Sequence, residues 1–344
     1  MAWASRRLAA GVAATLLTAA LAACGGNDAG KTSAGNGKDQ PIKIYYLQKQ
    51  ASQGYFVGEA EGAKKKAQEL GVDLVLVDLG NDTSTTLDAI KKAAADGSNG
   101  IIVVVPDPAI GPEVVDAAKK AGVPLLTSDD QICVTAKNPA DCPAADIVPR
   151  VGFSGTQMGG EVGKKAAEMY AQAGWKPNET GIIAAWKQDV TVCTDRVKAA
   201  QQTFKSSAQI DLTVTEVGTD NTPADAQAKV AALVAKNRQV KNWLVWGCND
   251  ENVTGAVDAL AAAGYPTANV IGIGINGDLA CKVWTEGKSP GLKATLWLNG
   301  GEVGALSVQS LYEKIKNQRE LTPEAFAKPT MVTPETYKSA GLKC

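Results

Sequence analysis

From residue 41 onward the apolar residues follow two alternating rhythms. Short runs rich in β-branched residues, such as Ile42–Leu47 and Ile101–Val105, read as strands. Between them apolar positions recur every three or four residues. Phe56, Ala60, Ala63, Ala67 and Leu70 share one face, so Tyr55–Leu70 reads as a helix. The same reading gives strands at Val72–Leu79 and Val123–Thr127 and helices at Leu87–Asp96 and Val114–Ala121. Glycine punctuates the passage from helix to strand in LGVDL, AGVPLL and AGYPTANVIGI, which is the signature of βαβ units. Unbroken apolar strands belong to a parallel sheet covered on both faces. After a short extended link at Arg150–Phe153 the pattern restarts. Helices are expected at Met158–Ala173, Asp195–Phe204, Ala224–Lys236 and Val253–Ala263, with strands at Gly181–Trp186, Leu212–Val217, Asn242–Trp246 and Val270–Ile275. The expected fold class is α/β, with two doubly wound units in tandem. Ligands of such sheets sit beyond the carboxyl ends of the strands. The polar residues just after strands are therefore the site candidates: Lys49, Asp107, Asp129, Asp130, Lys187, Asn249, Asp250 and Asn276. Each also has a plainer reading as a helix cap or turn residue.

The first 40 residues break this pattern. Arg6 and Arg7 precede the apolar stretch Leu8–Ala23, which is shorter than the about 20 residues that span a bilayer. Residues 1–23 therefore read as an export signal. It ends in Leu21-Ala22-Ala23-Cys24-Gly25, similar to a bacterial lipobox, in which the cysteine is lipidated and becomes the mature N-terminus. Residues 25–40 lack large apolar side chains and read as a flexible tether, so 24–40 is the anchor segment. The expectation is a globule lipid-anchored at the outer face of the cytoplasmic membrane, at the cell surface or in the periplasm.

Composition then excludes several chemistries. With 35 basic and 36 acidic residues the chain carries no basic field for nucleic acid. Histidine is absent from all 344 residues, which removes Ser-His-Asp triads, Cys-His pairs and His-ligated zinc. Seven cysteines include no CxxC pair, so no metal site is expected. Gly272-Ile-Gly-Ile-Asn-Gly277 matches GxGxxG in form, but no acidic residue follows about 20 positions on, and no cofactor is expected. The neighbouring Asp129 and Asp130 are a poor catalytic pair, because adjacent side chains diverge whereas glycosidic carboxylates face each other about 5–9 Å apart. Outside the cytoplasm cysteines pair. Cys133 with Cys142 closes a polar loop; Cys193, Cys248, Cys281 and Cys344 allow three pairings, of which 193–248 with 281–344 is one.

Several segments then carry a resemblance: LQKQASQGYF, VPDPAIGPEVV, SDDQ, GTQMGGEVGKKAAEMYAQAGW, NWLVWGCND and VIGIGING, in this order from residue 47 to residue 277. In them the chain resembles the periplasmic sugar-binding proteins of the ribose/galactose type, in particular their arabinose-binding branch. The resemblance implies two Rossmann-like lobes around a ligand cleft, joined by three crossing segments near Phe153, Asn299 and Lys328. The lobes would be 41–152 plus 300–327 and 153–299 plus 328–344. It further implies that Lys49 donates to ring hydroxyls, Asp130 is the main acceptor, and Asp129 supports it. Arg196 would be the cleft arginine of the second lobe, Asn249 and Asn276 would hold hydroxyls with donor and acceptor atoms, and Tyr55 and Phe56 would form an aromatic wall. Phe153 stands where a methionine is common, and Gln53 where a glutamate is expected. The implied function is capture of a monosaccharide, an arabinose-like pentose or a hexose, by a monomer that delivers it to an ABC importer. A polyol, a furanose-like signal, or a role as a sensing ectodomain are the alternatives. A lactose-repressor-type regulator would need a DNA-binding helix-turn-helix where this chain has its signal and tether. An exported sugar enzyme would need facing carboxylates or histidine, so a non-enzyme is expected.

Overall fold

The computed structural model describes residues 41–132 and 148–344. The expectations for the signal, Cys24, the tether, Cys133 and Cys142 lie outside the described residues. Residues 41–344 form one unit built on two six-stranded sheets.

The first sheet contains β1 (Lys43–Gln48), β2 (Asp73–Asp78), β3 (Gly100–Val103), β4 (Leu125–Ser128), β5 (Arg150–Gly152) and β11 (Glu324–Phe326). Their order is β11-β5-β4-β3-β1-β2, all parallel. The second contains β6 (Thr180–Trp186), β7 (Val214–Gly218), β8 (Asn242–Gly247), β9 (Val270–Asn276), β10 (Leu292–Trp297) and β12 (Thr330–Val332). Their order is β12-β10-β9-β8-β6-β7, with only β12 antiparallel to its neighbour. Both are doubly wound. In the first, α1 (Gly54–Leu70) pairs with α9 (Gly300–Asn317) and α2 (Thr83–Ala95) with α3 (Gly111–Ala121). In the second, α4 (Gly155–Ala173) pairs with α5 (Thr191–Ala208) and α6 (Pro223–Lys236) with α7 (Asp250–Ala262). Two short helices, α8 (Asp278–Thr285) and α10 (Tyr337–Ala340), complete the second lobe.

The chain passes between the sheets after β5, after β10 and between β11 and β12. Backbone bonds tie these crossings down, Ala327 N–H to Gly152 O (2.9 Å) and Leu298 N–H to Asn276 O (3.1 Å). The link at 150–153 is thus a strand of the first sheet. The glycines in the helix–strand punctuation adopt positive φ: Gly71 (68°) and Gly122 (66°) end α1 and α3, and Gly264 (88°) follows α7. Helix α2 begins at Thr83, earlier than its apolar periodicity indicates, because the Asp82 carboxylate caps the Ser84 N–H.

Two helix pairs approach backbone to backbone. A Cβ at Gly304 of α9 would lie 1.9 Å from the Glu59 carbonyl oxygen on α1, and one at Gly159 of α4 would lie 2.0 Å from the Arg196 carbonyl oxygen on α5. These small residues set how deeply α1 and α5, which carry candidate ligand residues, sit against each lobe.

Candidate functional site

At the carboxyl end of the first sheet, the connections after β1 and β4 converge. Lys49 follows β1, Tyr55 opens α1, and Asp129 and Asp130 follow β4. Asp129 adopts φ 70°, a conformation uncommon for a residue with a side chain, and its N–H is held by Val151 O at 2.7 Å. The Tyr55 hydroxyl donates to Asp129 Oδ1 at 3.3 Å. From the opposite lobe comes Arg196, one helical turn into α5. Its charge reaches both Asp129 and Asp130. Burial raises the Asp129 carboxyl to about 6, reinforced by the charge of Asp130 and opposed by Lys49, Arg196 and the Tyr55 hydroxyl. Lys49, Tyr55, Asp129, Asp130 and Arg196 therefore form one electrostatic cluster contributed by both lobes.

Arg196 is fixed from its own side. Its Nη1 donates to the Cys248 carbonyl oxygen at 2.8 Å, while its buried Nε has no protein partner. Cys248 is bonded to Cys193 at the start of α5, with Cα atoms 4.7 Å apart. This bridge fastens the helix that carries Arg196 to the loop that carries Asn249. A second bridge joins Cys281 in α8 to the C-terminal Cys344.

Asn249 caps α7 through its side-chain oxygen, which accepts from Asn252 N–H (3.1 Å) and from Asn252 Nδ2 (2.5 Å). Both lone pairs are thereby used. In this arrangement the Asn249 oxygen serves the cap, and its Nδ2 donates to Asn221 O at 3.5 Å. Asn276 ends β9 with φ 117° and belongs to a neighbouring patch organised by Asp250. The Asp250 carboxylate is fully buried and accepts from Thr295 Oγ1 (2.6 Å), Gly277 N–H (2.8 Å) and Ala280 N–H (3.1 Å). Burial raises it to about 7, against the pull of these donors. A Cβ at Gly274 would lie 2.1 Å from Asp250 Oδ1, so the glycines of GIGING make room for this clasp inside strand β9.

The remaining candidates lie at the edges. Phe56 and Phe153 are buried in the core cluster that also holds Ile44, Met158 and Trp186. Phe56 meets Tyr55 edge-on at 5.3 Å, leaving Tyr55 as the half-buried ring of the pair. Gln53 is exposed at the start of α1, where its Oε1 accepts from Gln50 Nε2 at 3.0 Å. Beside it, a Cβ at Gly54 would stand 4.0 Å from Asp278 Oδ2 of the second lobe, so the lobes meet at this rim. Asp107 caps the turn Pro108–Ile110 by accepting from Ala109 N–H at 2.9 Å, the plainer of its two readings.

Two residues that support the site from behind carry no motif. Arg150 Nη1 donates to the Asp129 carbonyl oxygen at 2.8 Å, while its Nη2 pairs with Glu324 Oε1 at 2.9 Å and its guanidinium lies over Phe326. It thus clasps the ligand loop to β11. Glu59 lies fully buried behind the same loop. Among the described residues no group of His, Cys, Asp or Glu is placed to hold a metal ion, and no helix is long and apolar enough to cross a membrane.

Two doubly wound lobes crossed three times by the chain, with charged groups of both lobes converging between them, define a two-lobed solute-binding protein. The chain belongs to the periplasmic binding protein domain family, whose model matches residues 44–319. This family comprises binding proteins rather than enzymes, and its members work outside the cytoplasm. The chain is 29% identical over 289 residues to an ABC transporter L-arabinose-binding periplasmic protein of Azospirillum brasilense, covering 83% of this chain and 84% of the relative. It is 26% identical over 301 residues to the L-arabinose-binding periplasmic protein of Escherichia coli, covering 86% and 89%. Its fold is similar to that of a periplasmic ribose ABC transporter protein from Conexibacter woesei, with a TM-score of 0.69, 17% identity, and coverage of 87% and 94%.

Proposed function

We propose that this chain is a lipid-anchored extracytoplasmic receptor that captures a neutral monosaccharide, an arabinose-like pentose or a hexose, and passes it to an ABC importer. The observation that carries this reading is the charge balance of a cluster drawn from both lobes. Two carboxylates, Asp129 and Asp130, face two cations, Lys49 and Arg196, so the cleft presents strong donors and acceptors without a net field. A polyhydroxy ligand satisfies such a set, since each hydroxyl donates to one group and accepts from another. A dicarboxylate would bring two negative charges to a set whose cations are already matched by carboxylates. The half-buried Tyr55 ring offers a face for the C–H surface of the sugar. The names of the two arabinose-binding relatives support the same class. Because the partners come from both lobes, ligand favours the form in which they meet. A panel of monosaccharides, amino acids and dicarboxylates scored by thermal shift tests this reading; a neutral aldose is expected to stabilise the chain.

The lobe limits belong to the same proposal: 41–152 plus 300–327 and 153–299 plus 328–344, acting as a monomer. Anchoring is assigned to Cys24. Cys24→Ser is expected to release the chain from membranes or leave it unprocessed. Quantitative membrane retention of a mature-sized serine variant would contradict the anchor.

A further inference from the structure

The least expected group behind the cleft is the carboxyl of Glu59. It lies on α1 with zero exposure, although its sequence setting, GEAEGAKKK, is that of a solvated helix. Four elements enclose it. Its Oε1 accepts from the Tyr46 hydroxyl of β1 at 2.7 Å and from Ser128 Oγ at the end of β4. Ser307 of α9 reaches the same Ser128 hydroxyl at 3.5 Å, and Gly304 lies against the Glu59 backbone. Its Oε2 is buried and has no partner. Ser128 immediately precedes Asp129 and Asp130, and Tyr55, one turn before Glu59, bonds Asp129. The carboxyl therefore sits one hydrogen bond behind the ligand loop.

The charge state follows from these surroundings. The titratable groups around Glu59 are Tyr46 from β1, Tyr55 from its own helix, and Asp129 and Asp130 from the loop after β4; α9 contributes Ser307, which does not titrate. The charged ones among them are both carboxylates. An anionic Glu59 would be a buried charge lacking a cation and facing two like charges. Burial first, then the charge of Asp129, raises its carboxyl to about 8, against the bonds from Ser128 and Tyr46. Below that pH Oε1 still accepts two bonds while the proton resides on the carboxyl.

We infer that Glu59 is a positioning residue for the ligand loop: as a neutral acid it holds Ser128 and Tyr46 in place without adding a third negative charge beside Asp129 and Asp130. This rests on the cleft reading given above. A ligand that displaces bulk water from the cleft lowers the screening between an anionic Glu59 and the two aspartates, so the bound state favours the protonated acid. Affinity then falls as pH rises through the Glu59 transition, by at most about tenfold per pH unit for one linked proton.

The test compares wild type with Glu59→Gln, which keeps the acceptor oxygen and cannot ionise. Dissociation constants for the aldose that gives the largest thermal shift are measured from pH 6 to pH 10. Wild type is expected to weaken above pH 8. Glu59→Gln is expected to lie within about threefold of wild type at pH 7 and to lose the part of the alkaline decline that wild type shows between pH 7 and pH 9. A parallel decline in both proteins, or a large loss at pH 7 in Glu59→Gln, overturns the inference while leaving the sugar reading intact. Infrared difference spectra of the two ligand-free proteins at pH 7 give an independent readout. A protonated-carboxyl band is expected to remain in the wild-type minus Glu59→Gln difference, where the Asp250 contribution common to both proteins cancels, and its absence overturns the inference whether or not any sugar binds.

Discussion

Asp130→Ala is expected to leave the fold intact and to weaken ligand capture by about 2–4 kcal/mol, roughly 30- to 1000-fold in Kd. The fold survives because Asp130 sits on the loop after β4, half-buried, and its own backbone amide closes the turn onto Ser128 O at 3.0 Å, a bond that alanine retains. Affinity falls because charge-assisted bonds to hydroxyls disappear and Lys49 and Arg196 then face a single carboxylate. Lys65→Ala, on the exposed face of α1, is the control and should bind as wild type does. Calorimetry on the three proteins decides the matter. Wild-type affinity in Asp130→Ala would place the ligand elsewhere.

Removing the Cys193–Cys248 bridge is expected to lower stability strongly. The bond spans 55 residues, for which the chain-entropy model gives about 4 kcal/mol. Its loss should also reduce affinity, because Arg196 takes its orientation from the Cys248 carbonyl oxygen. The double variant Cys193→Ala, Cys248→Ala should therefore melt at lower temperature and bind more weakly. Cys281→Ala with Cys344→Ala removes a bridge of 63 residues with a similar entropic value. That bridge ties α8 to the C-terminus and touches none of the Arg196 contacts, so stability should fall while affinity holds. Equal affinity losses in the two double variants would refute the bracing role.

A further pH effect on stability follows from Glu59 and Asp250. Their folded carboxyls are raised to about 8 and about 7, above their ordinary values of 4.5 and 3.8. The folded state therefore holds protons that the unfolded chain has released. This contribution is fully present below the unfolded values and is lost as pH rises toward the folded ones.

What the sequence reveals is what depends on period and sign. The alternation of Ile101–Val105 with amphipathic stretches defines the doubly wound sheets, because parallel strands buried on both faces must be apolar. Lys49, Asp129, Asp130 and Asn249 stand out because they follow strands directly. The two bridges among Cys193, Cys248, Cys281 and Cys344 needed spatial information, since spacing alone allows three pairings. Strands β11 and β12 have three residues each, too short to show a period. Glu59 could not be recognised as a buried acid, because burial comes from Gly304 and Ser307, about 250 residues away along the chain. Arg150 is hidden in the same way: its partners are an adjacent loop and a strand near the C-terminus.

The claim that a charge-balanced cleft captures a neutral sugar is tested most directly by calorimetric titration of the mature chain. The panel is L-arabinose, D-ribose, D-xylose, D-galactose, D-glucose, myo-inositol, glutamate and succinate at pH 7. Saturable one-to-one binding of at least one neutral aldose is expected, with no heat from glutamate or succinate. Tight binding of either anion, with no response to any neutral sugar, would contradict the claim.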